Sequence, residues 1–260
     1  MKAEKIIEKL FSLAEERDYS QSCDKCIMGN PEKEVSKVAV CMFLTPEIIK
    51  DAAEWGAEMV ITHEPVFHSP AEENDALDIK KRELMESSGM TFYRYHDHTH
   101  YTRPDIIAAG EFKALGLEGE MELTDIFDLL RLNLKNPVSA VELAKLIEDK
   151  LGIKHVRICG NRDFKATKLS GVFGAASNCA FNELRNPESQ IVIVGETCEW
   201  RNCEYVRDAA QLGIEKAMLI LGHAGSERDG MIYTAEILSD MFPETEVKYF
   251  EGGETYTYTD

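Results

Sequence analysis

The chain has 260 residues, of which 44% are hydrophobic and 29% charged, an ordinary composition for a globular protein of about two domains. Its 29 basic and 47 acidic residues give a formal net charge of −18, which argues against a nucleic-acid polymer as partner. No apolar run of about 18 residues occurs, so we expect no membrane span. Residues 1–17 lack the apolar centre of a signal peptide, and the seven cysteines lack disulfide-framework spacing, so we expect reduced thiols in the cytoplasm.

Apolar periodicity predicts an α/β pattern at the start of the chain. An amphipathic helix is expected over residues 2–16 and a buried strand over residues 38–44. A helix over residues 47–55 follows Pro46 and ends at Gly56, and a short strand, Met59–Thr62, leads into His63. This order predicts a βαβ unit with parallel strands.

The same theme recurs later in the chain, which predicts two similar α/β units, residues 1–132 and 133–260. Residues 133–137 are the expected link, and the C-terminal segment is free to pack back on the first unit. Ser139 is the expected cap of a helix that stops at Gly152. Strands are expected over residues 91–95, 154–159, 169–172, 190–194, 217–221 and 246–250, and helices over 104–115, 137–151 and 203–212.

Five of the seven histidines fall in three short segments, residues 61–65, 96–100 and 222–228, and each segment also carries a carboxylate. Imidazole nitrogen and carboxylate oxygen together suit Zn, Fe, Mn or Ni. If the chain enters a helix after Gly222, His223 and Glu227 lie at positions i and i+4 on one face. A bend before Pro65 would let His63 and Glu64 reach a pair of ions.

The middle segment allows two geometries. If it is extended, His96, His98 and His100 share one face. If it is helical, His96 pairs with His100, His98 points elsewhere, and Asp97 is able to orient an imidazole without ligating the ion. His68 and His155 have no partner in the sequence and are interpreted as structural.

Weaker signals remain beside the histidines. Arg94, Arg103 and Arg228 are candidates for holding an anionic substrate. Cys23 and Cys26 have the spacing of a zinc or redox site, but no second such pair follows, so simple thiols are the plainer interpretation. Two glycines lie at the end of a predicted strand, Gly171 within it and Gly174 after it, and both are interpreted as packing positions.

At these residues the chain resembles the NGG-one-interacting-factor-like family of dinuclear metal proteins, often named GTP cyclohydrolase I type 2 homologues. The resemblance covers nearly the whole chain. It is carried by the βαβ pattern that ends in Thr62-His63-Glu64-Pro65, and by Gly222-His223 with a glutamate four residues after the histidine and then Arg228.

The chain departs from the family pattern at two positions. The family has a second histidine where this chain has Glu64, and a histidine followed four residues later by aspartate where this chain has His96 and His100. A rival alignment uses His98 and finds Thr102, a poor ligand, at the aspartate position. The preferred alignment conserves the number of ligands, and it implies the metal ligands His63, Glu64, His96, His100, His223 and Glu227, with Asp97 and His98 as further candidates for ligation or support.

The resemblance also implies an architecture and a function. We expect two similar α/β units with mixed sheets flanked by helices, a metal site in the cleft between them, two divalent ions per subunit and a ring-shaped homohexamer. We expect a metal-dependent hydrolase acting on a small molecule, with a nucleotide as one substrate class. The alternative is a non-catalytic metal-binding protein or a regulatory protein that binds a partner.

Overall fold

The computed structural model describes residues 1–70, 73–124, 126 and 129–259. Its helices, in chain order, are α1 (Ala3–Phe11), α2 (Pro46–Trp55), α3 (Ala76–Ser88), α4 (Asp97–His100), α5 (Ile106–Leu115), α6 (Ala140–Leu151), α7 (Ser177–Arg185), α8 (Glu204–Gln211) and α9 (His223–Met241), and a short π-helix spans Glu199–Cys203. Its strands are β1 (Lys25–Met28), β2 (Lys37–Cys41), β3 (Met59–Thr62), β4 (Thr91–Arg94), β5 (Gly119–Glu122), β6 (Leu130–Ser139), β7 (Arg157–Gly160), β8 (Lys165–Val172), β9 (Ile191–Val194), β10 (Ala217–Ile220) and β11 (Glu246–Tyr249).

The chain forms two compact units. The first comprises Met1–Arg103 and Met231–Gly253, and the second comprises Pro104–Gly230 and Glu254–Asp260. Each contains one mixed sheet with flanking helices, which confirms the predicted fold class. The division differs from the boundary expected at residues 132 and 133, because α5 and β5 belong to the second unit and β11 pairs with β2 in the first.

The sheet of the first unit has the order β1-β4-β3-β2-β11. The strands β11, β2, β3 and β4 run parallel, and β1 is antiparallel to β4. The parallel strands β3 and β4 end at the same edge of this sheet, which is where ligand sites lie in open α/β sheets. His63 directly follows β3, and the histidine segment 96–100 follows β4.

The βαβ unit forms where the sequence predicts it. The Thr45 side chain accepts a hydrogen bond from the backbone N–H of Ile48, Pro46 begins α2, and Gly56 ends it in the left-handed conformation at φ 85°. All four residues of β3 are buried, as expected for a strand covered on both faces. These local signals place His63 at the end of a rigid strand.

The second unit has a six-stranded sheet in the order β5-β6-β8-β9-β10-β7. Ser139 caps α6 in a full capping box with Glu142, and Gly152 ends the helix, as predicted. The expected link at residues 133–137 was wrong, because this stretch lies within β6. The pairing of β6 with β8 is interrupted between Asn133 and Val138, where Pro137 has no N–H to donate.

Each unit has its own apolar core. In the first unit the core includes Ile49, Val60, Met85 and Phe92, and in the second it includes Leu143 and Leu169 with their neighbours. Among the described residues, no helix is both long and apolar enough to cross a lipid bilayer.

Candidate metal centre

Three imidazoles meet at the edge of the first sheet. The ring centroids of His63 and His96 are 4.4 Å apart, those of His63 and His100 are 5.2 Å apart, and those of His96 and His100 are 5.0 Å apart. Their ligand atoms lie close enough together for one ion. The structure therefore brings together three of the histidines that the resemblance implies as ligands.

The segment 96–100 is helical, not extended. One short turn, α4, follows His96, and this turn places His96 beside His100. The buried Asp24 carboxylate accepts hydrogen bonds from the backbone N–H groups of His96, Asp97 and His98, which satisfies donors that a helix start leaves unpaired. Asp24 thereby fixes the turn that groups the imidazoles.

His98 lies apart from these rings. Its imidazole is stacked between Phe11 and Tyr19, with centroid distances of 4.1 and 3.8 Å. Its Nδ1 atom is 2.6 Å from the Asp24 carboxylate. Both ring faces and one ring nitrogen are thus committed to contacts within the first unit, so His98 serves the packing of α4.

His63 is the most deeply buried of the three grouped histidines, with no exposed surface. Its Nδ1 atom donates to the backbone carbonyl of Tyr95 at 3.0 Å. Burial holds the pKa of His63 well below its usual value, and the neighbouring His96 and His100 lower the pKa further. A neutral imidazole is the form that binds a metal ion.

Glu64 extends the group with a carboxylate. It is 7% exposed, and its oxygens lie 3.7 Å from His96 Nε2 and 3.7 Å from the Arg94 guanidinium. Arg94 also donates to the backbone carbonyl of His63. Arg94 is thus held beside the candidate ligands His63 and Glu64. Of the three candidate arginines, it is the best placed to contact a substrate bound there.

Asp97 supports His96 from the other side of the ring. Its carboxylate lies 2.9 Å from His96 Nδ1 and accepts from the backbone N–H and the thiol of Cys23. Burial opposes ionisation of Asp97, but the hydrogen bonds from His96, Ser22 and Cys23 prevail and lower its pKa to about 2. Asp97 is therefore an ionised partner for the imidazole.

The second unit contributes a separate pair, His223 and Glu227. The chain enters a helix after Gly222, which is the condition under which the sequence pairs these two residues. Both lie in the first turns of α9, and the i, i+4 spacing brings His223 Nε2 within 3.1 Å of the Glu227 carboxylate. His223 Nδ1 lies 2.7 Å from Glu196. Glu227 is 3% exposed, whereas Glu196 is largely exposed.

Gly174 makes room for Glu227. Its φ is +60°, in the region that favours glycine, and an added Cβ would overlap the Glu227 carboxylate. The Ser226 hydroxyl accepts from the Gly174 N–H at 3.0 Å. Gly174 is therefore a packing position, as predicted from the sequence, and the group that it packs against is a candidate metal ligand.

Gly174→Ala is expected to lower metal affinity at the His223–Glu227 pair, because the new methyl group must displace the Glu227 carboxylate. The control is Gly213→Ala, since Gly213 has a similar φ of +76° and open space around its Cβ position. Both variants carry the backbone cost of about 1–2 kcal/mol. Thermal unfolding and metal titration separate the effects, and equal metal binding by the two variants would contradict this role.

The other candidate arginines have partners of their own. Arg103 pairs with Glu15 at 3.0 Å and donates to the backbone carbonyl of Thr102. Arg228 pairs with Asp229 at 2.7 Å and donates to the backbone carbonyl of Leu151. Their role in substrate binding stays a prediction.

Three residues of the site were missed by sequence reasoning: Asp24, Gly174 in its relation to Glu227, and Glu196. Asp24 and Glu196 lie far along the chain from the histidines that they contact. Each is one acidic residue among 47, so no local pattern distinguishes it. Only the fold identifies them.

Comparisons with known proteins identify relatives over most of the chain. A curated protein of Clostridium perfringens named GTP cyclohydrolase 1 type 2 homolog is 23% identical over 222 residues, covering 81% of this chain and 80% of that protein. One of the same name from Clostridium acetobutylicum is 23% identical over 242 residues, covering 90% and 87%. The solved structure of protein ybgI, described as of unknown function, superposes with a TM-score of 0.79 at 20% identity, covering 98% of this chain and 100% of that one.

The family itself is shown by a match that extends over nearly the whole sequence. The family model described as Duf34/NIF3 (NGG1p interacting factor 3) matches residues 1–253. The resemblance inferred from the two motifs is thereby confirmed, and the chain belongs to the DUF34/NIF3 family.

Proposed function

We propose that the chain binds two divalent metal ions and uses them to hydrolyse a small molecule. The proposed ligands are His63, Glu64, His96 and His100 from the first unit, with His223 and Glu227 from the second. Zn, Fe, Mn and Ni are the ions that suit this set of imidazoles and carboxylates.

One observation carries the proposal. Three imidazoles from three separate segments are each held at Nδ1 by an oxygen: His63 by the Tyr95 carbonyl at 3.0 Å, His96 by Asp97 at 2.9 Å, and His223 by Glu196 at 2.7 Å. Metal-binding histidines are usually held in this way, because the acceptor fixes the tautomer and leaves Nε2 as the donor to the ion. A solvated histidine has no need of such support.

The charge of the ligand set favours an electrophilic or anionic substrate. Four neutral imidazoles and two carboxylates carry two negative charges, so two divalent ions would leave the set with a net positive charge. The chain as a whole carries −18, and a local positive centre would attract an anion that the rest of the surface repels.

Bound there, the ions would act as Lewis acids that make water more acidic and polarise the bond under attack. The chain's own residues supply orientation. Tyr95, Asp97 and Glu196 hold the imidazoles by Nδ1. The Arg94 guanidinium lies 3.7 Å from the Glu64 carboxylate, and we expect it to contact an anionic group of the substrate.

The names of the curated relatives direct the first assay to nucleotides, and opening of the GTP purine ring is the reaction to test first. Purified protein is freed of metal, loaded with Zn, Mn, Fe or Ni in turn, and incubated with GTP and other nucleotides. We expect turnover with at least one metal, and its loss in His63→Ala but not in the control His68→Ala.

Bound metal without turnover under every condition would overturn the hydrolase and leave the non-catalytic, regulatory role. Wild-type protein that binds less than one ion per chain would overturn the dinuclear site. Assembly into a homohexamer, which the family resemblance implies, is part of this proposal, and light scattering coupled to size-exclusion chromatography measures it.

A further inference from the structure

A second cluster of metal-binding side chains adjoins the imidazole group in the first unit. Its members are Cys23, His96 and Asp97, and one donor atom from each lies within 4.8 Å of the others. The thiol is 3.3 Å from the Asp97 Oδ1 atom, and His96 Nδ1 is 2.9 Å from the same oxygen. Cys23 has no part in the proposed hydrolytic site, which uses His96 Nδ1 only for its hydrogen bond with Asp97 and not as a metal ligand.

We propose that Cys23, Asp97 and the Nδ1 atom of His96 form a separate site for a thiophilic divalent cation such as Zn²⁺ or Co²⁺. Sulfur at about 2.3 Å and nitrogen or oxygen at about 2.0 Å from a tetrahedral ion lie roughly 3.3–3.5 Å from each other. The two distances to Asp97 Oδ1, 3.3 Å from the thiol and 2.9 Å from His96 Nδ1, are within a few tenths of an ångström of these values, and the thiol and His96 donors lie within 4.8 Å of each other. The cluster thus needs little rearrangement to surround an ion.

The charge and polarity of the cluster also suit a soft divalent cation. A thiolate and a carboxylate together carry two negative charges, and a neutral imidazole adds a nitrogen donor. Each side chain is partly exposed, so an ion has access and water is available for the fourth position of a tetrahedral site. The second cysteine of the pair points elsewhere, because the Cys26 thiol donates to the Met28 carbonyl.

Binding exchanges protons for the cation without any change in oxidation state. The thiol releases its proton to solvent, and the His96 proton moves from Nδ1 to Nε2, which faces the Glu64 carboxylate at 3.7 Å. His96 would then point its free lone pair at the thiolate site and withdraw it from the imidazole group. Occupation of the two sites would therefore be antagonistic, since both use His96.

Cobalt titration of the full chain, first freed of metal, tests this site. We expect a near-ultraviolet thiolate-to-cobalt charge-transfer band in the wild type and in the matched control Cys26→Ser. The band should be absent in Cys23→Ser. In Asp97→Asn it should appear only at a cobalt concentration at least about tenfold higher than in the wild type. Thermal unfolding confirms that each variant is folded.

A second pair of measurements separates this site from the hydrolytic one. The band should persist in the double variant His63→Ala/His100→Ala, so failure of the proposed hydrolase leaves this result intact. Zn²⁺ should also slow alkylation of Cys23, read by mass spectrometry, and a chelator should restore the rate. Absence of the band in the wild type, its persistence in Cys23→Ser, or alkylation indifferent to Zn²⁺ would show that the cluster is only a hydrogen-bonded support for His96.

Discussion

Replacing His100 with alanine is expected to remove at least one metal ion per chain, whereas His98→Ala should leave the metal content of the folded protein unchanged. The two residues are two positions apart, and sequence alone allowed either to be a ligand. His100 has its ring 5.2 Å from that of His63 and 5.0 Å from that of His96. Removing it takes one of three imidazoles from the group.

His98→Ala should instead destabilise the first unit. The ring stacks between Phe11 and Tyr19 and contacts the Asp24 carboxylate. Truncation leaves a cavity between two aromatic rings and deprives a buried carboxylate of one of its donors. Each mechanism costs on the order of 1–3 kcal/mol, so a lowered melting temperature is expected for His98→Ala.

Metal analysis by mass spectrometry, together with thermal unfolding of metal-free protein, gives both readouts. His68→Ala is the matched control, because His68 belongs neither to the group of three imidazoles nor to the Cys23, His96 and Asp97 cluster. The expected pattern is loss of metal from His100→Ala, and destabilisation with full metal content for His98→Ala. His100 is itself buried, so metal content, not melting temperature, distinguishes the two variants. Greater metal loss from His98→Ala would show that the rival alignment, with His98 as the ligand, is correct.

The sequence predicts the position of a histidine where local signals fix the helix or strand that precedes it. Thr45, Pro46 and Gly56 mark the two ends of α2, and β3 follows with the bounds that the sequence predicts. Ligand crevices lie at the carboxyl ends of parallel strands. The sequence therefore predicts that His63, which follows β3, lies at such an edge. The same reasoning placed His223 after a strand, now β10, and allowed the helix that the structure shows there.

Choosing between His98 and His100 required contacts that local patterns do not encode. The turn that separates them is fixed by Asp24, and the rings that enclose His98 come from α1 and from the loop before β1. The link expected at residues 133–137 failed for a related reason. Proline is unfavourable inside a paired strand. Here β6 nevertheless continues through Pro137, because its pairing with β8 is interrupted between Asn133 and Val138.

Replacing His223 with alanine is expected to remove metal from the site contributed by the second unit, and Glu196→Gln should weaken that site without abolishing it. His223 is the only histidine of the Gly222-His223 motif, and its Nε2 atom faces Glu227 at 3.1 Å. Loss of an imidazole removes a donor outright. Loss of the carboxylate that holds its other nitrogen typically costs 10–100-fold in affinity.

The graded response distinguishes metal binding from a merely structural role. Glu196 is largely exposed, so Glu196→Gln should leave the melting temperature of the metal-free protein unchanged and act only on metal affinity. His155→Ala is the control in the same unit, because the His155 ring packs against Tyr258 and His155 is not among the proposed ligands. Zinc titration of each variant with a competing chelator gives the affinities.

If both His223→Ala and Glu196→Gln bind zinc as tightly as the wild type, His223 is not a ligand and the proposed six-ligand set fails. If His223→Ala alone weakens binding, the imidazole ligates but does not depend on Glu196 for its orientation. The expected order is wild type and His155→Ala tightest, Glu196→Gln intermediate and His223→Ala weakest. That order follows from the geometry, because Glu196 acts on the ion only through the imidazole that it holds at 2.7 Å.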